Sequence, residues 1–381
     1  MKIESRSPKI VIAIDSFKGS LSSLEVARAV EAGILSRLPQ AQCDLLPIAD
    51  GGEGVLEALQ QSLGLVSQSV SAHDPLMRPI EGLYLRGEQS AMVELASVAG
   101  LPLLESDERN PLQTTTYGVG EVLADALKRG ARRLIVGLGG SATNDGGVGL
   151  LQALGVCFLD REGRILRGGG EILTQIQRID TSQLLPEARE AEWILVCDVD
   201  NPLCGPEGAS RVYAPQKGAT PEMVEALEQG MCHYAERLES LLGVQVAHLP
   251  GAGAAGGVAG GMAALLGGKI ERGFDWTARQ LRLEERIAAA DLILTGEGRI
   301  DEQSLRGKVP FGVAERARRY RKPCLALCGS CSLSVRAEEL GLEAIYVSRP
   351  EGMPLAEAMR PEVARANLHH AAARLAEDLF F

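Results

Sequence analysis

The sequence lacks the basic charge and the long apolar runs that mark nucleic-acid-binding and membrane proteins. Its formal net charge is -11 at pH 7 and its pI is near 5.2, so wholesale binding to nucleic acid or to an anionic membrane is not expected. The apolar run at residues 10–14 is too short for a signal peptide or a membrane span. Residues 251–268 carry no charge, but they are mostly glycine and alanine and too weakly apolar to prefer lipid. An anionic ligand must therefore meet local cations.

The eight cysteines lack the pattern of a disulfide framework or of a zinc site. They are scattered through a long chain, and most lie in apolar runs, as Cys197 and Cys324 do. Cys324, Cys328 and Cys331 are close in sequence, but no second pair and no nearby histidine follows at zinc-finger spacing. We therefore expect a reducing, cytoplasmic location and no zinc centre.

The common signatures of ATP-binding and hydrolytic enzymes are also absent. The sequence has no Gly-x-x-x-x-Gly-Lys-Ser/Thr motif and nothing that matches the protein-kinase set. It has only five histidines and no Gly-x-Ser-x-Gly motif, which disfavours a hydrolase and a histidine base. These signatures therefore do not identify the function.

What the sequence does contain is a series of βα units. At 381 residues the chain exceeds what one hydrophobic core usually serves, so two α/β domains are expected. Residues 10–14 and 45–49 each have the pattern of a buried strand that ends in a polar loop before a helix. Ser22 and Glu25 suit a capping box at the start of the first helix. Three late apolar runs predict further buried strands, at residues 292–294, 324–327 and 344–347.

These units predict a doubly wound, flavodoxin-like parallel sheet built from both ends of the chain. From about residue 72 the pattern changes to shorter strands with turns, which indicates that a second α/β domain is inserted there. The predicted boundaries are 1–71 and 286–381 for the discontinuous domain and 72–285 for the inserted domain.

The inserted segment contains a strand, a glycine-rich loop at residues 139–147 and a helical pattern in succession. Glycine lets backbone N–H groups approach a ligand closely, and a helix N-terminus adds a positive dipole end, so the loop suits an anion such as phosphate. A tight βα turn is the alternative. Such a turn needs no carboxylate, whereas Asn144 and Asp145 lie among these glycines.

Polar side chains recur where the apolar strands end. Carboxylates with an amide bind Mg²⁺, whereas Lys, Arg and glycine N–H groups bind phosphates, so the set fits phosphoryl transfer. Taken singly, each acid is better explained as a helix cap or a turn residue, and only the recurrence indicates a site. The strand-end residues are Asp15, Lys18, Asp50, Glu53, Asn144, Asp145, Asp198, Asp200, Asn201, Glu297, Arg299 and Asp301.

Two glycine patterns leave other functions open. Residues 251–256 and 137–142 formally match the dinucleotide fingerprint, although neither has a clean strand, helix and ribose-binding acid in the expected frame. An NAD-dependent 2-hydroxyacid dehydrogenase is therefore the alternative enzyme. A non-catalytic hydroxyacid sensor is the alternative binding protein, because two-domain α/β proteins often close on small ligands.

Six motifs follow one another along nearly the whole chain: DSFKGSLS at 15–22, PIADGGEG at 47–54, GGSATNDGG at 139–147, CDVDNPL at 197–203, PQKGA at 215–219 and TGEGRID at 295–301. Together they resemble the bacterial glycerate kinase type I family. The resemblance implies phosphorylation of D-glycerate to 2-phosphoglycerate with ATP and Mg²⁺, in glyoxylate or sugar-diacid catabolism. It also implies a flavodoxin-like domain made of both chain ends. No nucleic-acid or membrane partner is expected, and a homodimer is left open.

The strand-end residues are assigned roles in this reaction. Lys18 and Arg299 are predicted to supply positive charge to the phosphate or to the glycerate carboxylate, and Asp198 to accept or position the hydroxyl proton. The residues predicted to bind substrate or nucleotide are Asp15, Ser16, Asp50, Gly51, Gly52, Glu53, Gly139, Gly140, Ser141, Asn144, Asp145, Gln216 and Lys217. The residues predicted to bind metal are Asp200, Asn201, Glu297 and Asp301.

The assignment near Asp198 depends on local geometry. Side chains alternate along a strand, so Asp198 and Asp200 point the same way if the strand continues through Val199. In the alternative, Asp200 and Asn201 only cap the turn before Pro202.

Overall fold

The computed structural model describes residues 7–48, 60, 64–302, 304, 308–332 and 334–380. The described residues form two compact units. Of the described residues, the first unit contains those within 7–48 and 273–380 together with residue 60, and the second unit contains 64–272. The predicted fold class of two α/β domains, one of them built from both chain ends, is confirmed. The chain returns from the second unit to the first at Gly273. The predicted domain boundaries at 72 and 286 stay a prediction.

The first unit contains a five-stranded, fully parallel sheet in the order β13-β12-β11-β1-β2. Its strands are β1 (Lys9–Ile14), β2 (Gln42–Leu45), β11 (Leu292–Ile300), β12 (Cys324–Cys331) and β13 (Ala344–Val347). Its helices are α1 (Ser23–Arg37), α9 (Gly273–Gln280), α10 (Leu283–Ala289), α11 (Val309–Arg319), α12 (Leu355–Ala358) and α13 (Pro361–Phe380), with a 3₁₀ turn at Ala337–Leu340.

Helices cover both faces of this sheet, as a doubly wound fold requires. Ile10, Ile12 and Ile14 share one core cluster with α1 and α13, so the alternate residues of β1 face the other side, where Val11 is also buried. The predicted capping box is confirmed, because Ser22 and Glu25 bond each other's backbone N–H groups at the start of α1.

Three strands differ from their predicted spans. β11 and β12 continue to Ile300 and Cys331, past the predicted ends at residues 294 and 327, so Glu297 and Arg299 lie within β11 and not in the loop after it. The third is β2. The sequence predicts a strand at residues 45–49, whereas β2 ends at Leu45. The Leu46 N–H still donates to Ile12 O at 2.9 Å, but Pro47 has no N–H to continue the ladder. A run of apolar side chains therefore extends past the hydrogen-bonded strand.

The second unit contains a six-stranded mixed sheet in the order β10-β9-β6-β5-β4-β3 and a small hairpin of β7 and β8. The first four strands of this order are parallel, and β3 and β4 add an antiparallel edge. The strands are β3 (Val66–His73), β4 (Pro79–Arg86), β5 (Ser90–Glu94), β6 (Arg133–Gly137), β7 (Cys157–Leu159), β8 (Arg178–Asp180), β9 (Glu192–Cys197) and β10 (Lys269–Arg272).

The helices of the second unit surround a large apolar core. They are α2 (Ala96–Ala99), α3 (Tyr117–Lys128), α4 (Val148–Ala153), α5 (Pro186–Glu190), α6 (Ala209–Tyr213), α7 (Pro221–Leu242) and α8 (Ala254–Leu266), with 3₁₀ turns at Leu101–Leu103, Gly170–Gln175 and Pro215–Lys217. Within the described residues, none of the helices combines the length and the apolarity that spanning a bilayer requires.

Candidate active site

The first unit carries a cavity at the carboxyl edge of its sheet, where the strand order reverses. The chain passes from β1 to β2 on one side and from β11 to β12 on the other, so the loops after β1 and β11 diverge. Ligands of open α/β sheets bind in the crevice that such a reversal opens. The cavity has a volume of about 590 Å³. Six of the predicted site residues line it: Asp15, Ser16, Lys18, Glu297, Arg299 and Asp301.

A tight turn holds Lys18 at the edge of this cavity. The Ser20 N–H donates to Phe17 O at 2.8 Å, and the Phe17 N–H donates to Leu21 O at 2.9 Å. Gly19 has φ of 74°, a left-handed conformation that costs glycine little. The turn leaves the Lys18 side chain exposed at its tip, among the residues that line the cavity.

Asp15 is buried at the start of the same loop, with 3% of its surface exposed. Its backbone N–H donates to Gly296 O at 3.0 Å, which extends the pairing of β1 with β11. Its Oδ1 accepts from the Ser16 N–H at 2.6 Å. The carboxylate is therefore held at the base of the cavity by the strand that carries it.

Two further carboxylates line the cavity from β11 and the loop after it. Ser304 Oγ donates to Glu297 Oε1 at 2.5 Å, and Lys308 Nζ lies 3.8 Å from Glu297 Oε2. Arg299 Nε lies 3.4 Å from Asp301 Oδ2, and 73% of the Arg299 side chain is exposed. An ion pair of a largely exposed side chain is weak, so a bound anion can compete for Arg299.

In the second unit, the glycine loop after β6 is organised around a buried carboxylate. Asp145 is fully buried, and its Oδ2 accepts from the N–H and the Oγ1 of Thr116, each at 2.8 Å. The N–H groups of Gly147 and Gly149 also donate to it, at 3.0 and 3.2 Å. Burial raises the pKa of Asp145, while these hydrogen bonds oppose the shift. The geometry favours a role in shaping the loop, and ligand binding by Asp145 stays a prediction.

Two backbone N–H groups of this loop donate to other segments of the protein, and the predicted phosphate cradle stays a prediction for the rest of the loop. The Ala142 N–H donates to Ala99 O at 2.8 Å, and the Gly146 N–H donates to Gly256 O at 3.0 Å. Gly256 has φ of 67°, and a β carbon there would lie 2.1 Å from Thr143 O. These donors hold two segments together, because a loop that is buried must satisfy its own polar groups.

A buried lysine lies beneath the loop. Lys217 is 2% exposed, and its Nζ donates to Ser141 Oγ and to Thr143 O, each at 2.7 Å. Burial lowers the pKa of Lys217 to about 7, while the charge of Asp145 opposes that shift. Asn144 Nδ2 donates to Ser210 Oγ at 3.0 Å. Of the remaining residues predicted here, Gly140 and Gln216 are exposed, Gly139 is half-buried and Ser141 is buried.

The loop after β9 presents Asp198 and Asp200 at the surface. The strand ends at Cys197, so the argument from alternating strand side chains does not apply to this pair. Asn201 uses its amide within the loop: Nδ2 donates to Glu207 O at 2.8 Å, and Oδ1 accepts from Tyr213 Oη at 2.6 Å. These contacts favour the turn-capping alternative for Asn201.

With this geometry established, the relatives of the chain decide its family. A model of the glycerate kinase family matches residues 10–379. The chain belongs to the glycerate kinase family. The resemblance of the six motifs is thereby confirmed, and these relatives give no support to the dehydrogenase or to the sensor.

The similarity to members of the glycerate kinase family extends over most of the chain. A glycerate kinase of Halalkalibacterium halodurans is 43% identical over 354 residues, which cover 92% of this chain and 93% of that protein. The glycerate 2-kinase of Escherichia coli K12 is 42% identical over 341 residues, covering 89% and 90%. A crystal structure from Salmonella typhimurium LT2, of a protein assigned as glycerate kinase 2, has a TM-score of 0.88 at 41% identity and covers 98% of both chains.

The remaining predicted site residues of this glycerate kinase family member either fall outside the described residues or are divided between the two units. Asp50, Gly51, Gly52 and Glu53 fall outside the described residues. No group of three His, Cys, Asp or Glu side chains converges as a metal site in the part of the chain that is described. Glu297 and Asp301 line the cavity of the first unit, whereas Asp200 and Asn201 belong to the second unit.

Sequence reasoning missed part of the cavity. Lys308, at the N-terminus of α11, and Arg349, just after β13, add two cations to its lining. Cys331, Ser332 and Ser348 also line it, from the ends of β12 and β13. The sequence predicts both β12 and β13. A search for polar side chains after these two strands, as made for the other strands, would have found these residues.

The buried lysine gives a prediction about pH. Because burial lowers the pKa of Lys217 to about 7 from 10.5, the unfolded chain binds more protons than the folded chain between those values. The contribution of Lys217 to the free energy of unfolding should therefore rise with pH across this window, by at most about 1.4 kcal/mol per pH unit.

Urea unfolding of the wild type and of Lys217→Met between pH 7 and 9 measures this difference. The wild type should gain stability relative to Lys217→Met as pH rises. Lys128→Met, at an exposed position of α3, is the matched control and should show no such trend. A flat difference for Lys217→Met would mean that the lysine stays charged in the folded protein.

Proposed function

We propose that this chain transfers the γ-phosphoryl group of ATP to the 2-hydroxyl of D-glycerate, giving 2-phosphoglycerate and ADP in a Mg²⁺-dependent reaction. The observation that carries the proposal is similarity over nine-tenths of the chain to proteins named glycerate kinase, with the E. coli relative named glycerate 2-kinase. The cavity of the first unit supports it, because cations and carboxylates line it at the reversal point of a parallel sheet.

The cations of the cavity have a defined task in this reaction. Phosphoryl transfer depends mainly on positioning and on neutralising charge, and the chain as a whole is acidic. Lys18, Arg299 and Lys308 supply local positive charge from three separate segments. We assign Lys18 to the transferring phosphate because it is exposed at the tip of its turn and lines the cavity.

The residues present fit a magnesium ion. Mg²⁺ keeps several waters and takes one or two protein carboxylates together with phosphate oxygens, so a three-residue cluster is not needed. Glu297 and Asp301 would hold it in the first unit, where both line the cavity. When bound, Mg²⁺ neutralises part of the charge on the phosphates.

The proton of the glycerate hydroxyl needs an acceptor, and Asp198 is assigned this role. It is exposed immediately after β9, within the motif that resembles the family. Asp145 is a poor candidate, because it is fully buried and its oxygens accept hydrogen bonds from the protein. The homodimer and the cytoplasmic location stay predictions.

Formation of ADP by the purified chain tests the proposal. We expect ADP only when D-glycerate, ATP and Mg²⁺ are all present, and little when L-glycerate or glycolate replaces D-glycerate. Glycerate-dependent reduction of NAD without ADP formation would contradict the proposal in favour of the dehydrogenase. Binding of glycerate with no turnover would contradict it in favour of the sensor.

A further inference from the structure

The cavity of the first unit has an apolar wall in addition to its charged one. Leu355 and Ala358 from α12 and Met359 just after it line the cavity, and Leu355 and Met359 are 57% and 37% exposed. Four large apolar side chains are exposed on the described part of this unit, and two of them, Leu355 and Met359, lie in this one wall. Exposed apolar groups gathered in one concave surface indicate a binding surface for an apolar ligand group.

The apolar wall adjoins the charged one. A β carbon added at Gly19 would lie 3.2 Å from Met359 Cε, so Met359 packs against the turn that carries Lys18. Arg349 lines the cavity from the short segment between β13 and α12. It is half-buried, and no ion pair is formed by it within the described residues.

These two walls differ in the ligand chemistry they suit. Glycerate is a small acid that carries a carboxylate and two hydroxyl groups, so it has little apolar surface to bury against an aliphatic wall. A nucleotide has both an apolar heteroaromatic base and a chain of anionic phosphates, and it needs both kinds of surface in one site. The volume of about 590 Å³ also lies in the range of about 300 to 1,000 Å³ that is usual for sites of such ligands.

We propose that this cavity is the nucleotide site, with the base and ribose against Leu355 and Met359 and the phosphates facing Lys18 and Arg349. The inference deepens the proposed function and rests on it for the identity of the nucleotide as ATP or ADP. It assigns to Arg349 a binding role that the six motifs do not include, since the residue lies outside all of them.

Calorimetric titration of the full-length protein with ADP and Mg²⁺ tests the inference. Arg349→Met removes one charge-assisted contact, and Leu355→Ser removes part of the apolar wall. Each should raise the Kd for ADP, the arginine variant by about tenfold or more, while the KM for glycerate changes by less than about twofold. Arg349→Lys keeps the charge and should lie between the wild type and Arg349→Met.

Matched controls come from exposed residues elsewhere in the chain. Arg318→Met, in α11, and Leu241→Ser, in α7, make the same chemical changes outside the cavity and should leave the Kd for ADP unchanged. An unchanged Kd in both cavity variants, or no ADP binding by the wild type, would overturn the inference. So would a rise in the KM for glycerate with the Kd for ADP unaltered.

Failure of the two proposals can be told apart. A wild type that binds ADP through Arg349 and Leu355 but does not phosphorylate glycerate refutes the proposed function and supports the nucleotide site. A wild type that phosphorylates glycerate while both variants bind ADP normally refutes the nucleotide site and leaves the proposed function intact.

Discussion

Asp198→Asn should lower kcat by about a hundredfold to ten-thousandfold, the range expected when a general base is removed. Asparagine is nearly isosteric with aspartate but cannot accept the hydroxyl proton. The substitution therefore removes the general base and leaves the size of the side chain almost unchanged. Asp198 follows β9 directly, and its exposure allows a substrate to reach it. Steady-state kinetics with saturating ATP and D-glycerate measure the effect.

The matched control for Asp198→Asn is Asp107→Asn, which changes an exposed aspartate of the same unit. Its kcat should stay within about twofold of the wild type, as expected for a surface substitution. ADP binding by Asp198→Asn, measured by calorimetry without glycerate, should also stay close to the wild type. If Asp198→Asn turns over normally, Asp198 is not the base. The role would then pass to Asp301, which lines the cavity, because Asp145 is fully buried.

Lys18→Ala should lower kcat/KM by at least about a hundredfold, as does loss of a group that stabilises charge in a transition state. The ammonium group stands at the tip of the turn between Phe17 and Ser20, so its removal deletes charge without disturbing the turn's hydrogen bonds, which are made by the backbone. Lys18→Arg keeps the charge and should recover part of the loss.

Lys9→Ala is the matched control for Lys18→Ala, because Lys9 is an exposed lysine that begins the strand whose other end leads to Lys18. Its kcat/KM should remain within a few-fold of the wild type. If Lys18→Ala also remains within a few-fold, Lys18 is an ordinary surface cation, and Arg299, Lys308 and Arg349 would have to supply the charge.

The fold was largely predictable because its signals are local. The apolar runs of β1, β11 and β12 identify buried parallel strands, and the Ser22 and Glu25 capping box marks a helix start. The run of β13 also forms a parallel strand, but at the sheet edge, where it is half-buried and not buried as predicted. β2 was misplaced because hydrophobicity does not report where hydrogen bonding ends, which here depends on the missing N–H of Pro47.

The candidate site was predictable only in part, because a residue's type does not reveal what surrounds it. Asp145 and Lys18 look equally suited to a ligand in the sequence, yet Asp145 is buried among donors and Lys18 is exposed. Two of the donors to Asp145 come from Thr116, which is distant in sequence. Arg349 lies outside every motif, and only the strand-end rule, extended to the predicted strand β13, would have indicated it.

The measurement that tests the central claim most directly is phosphorus NMR of the product formed from D-glycerate, ATP and Mg²⁺. The proposal predicts a phosphomonoester signal coupled to the single proton on C2, which identifies 2-phosphoglycerate, appearing in step with ADP. A signal coupled to the two protons on C3 would show 3-phosphoglycerate and contradict the assigned hydroxyl. Absence of any new phosphomonoester, with ATP consumed only to inorganic phosphate or not at all, would contradict the glycerate kinase activity itself.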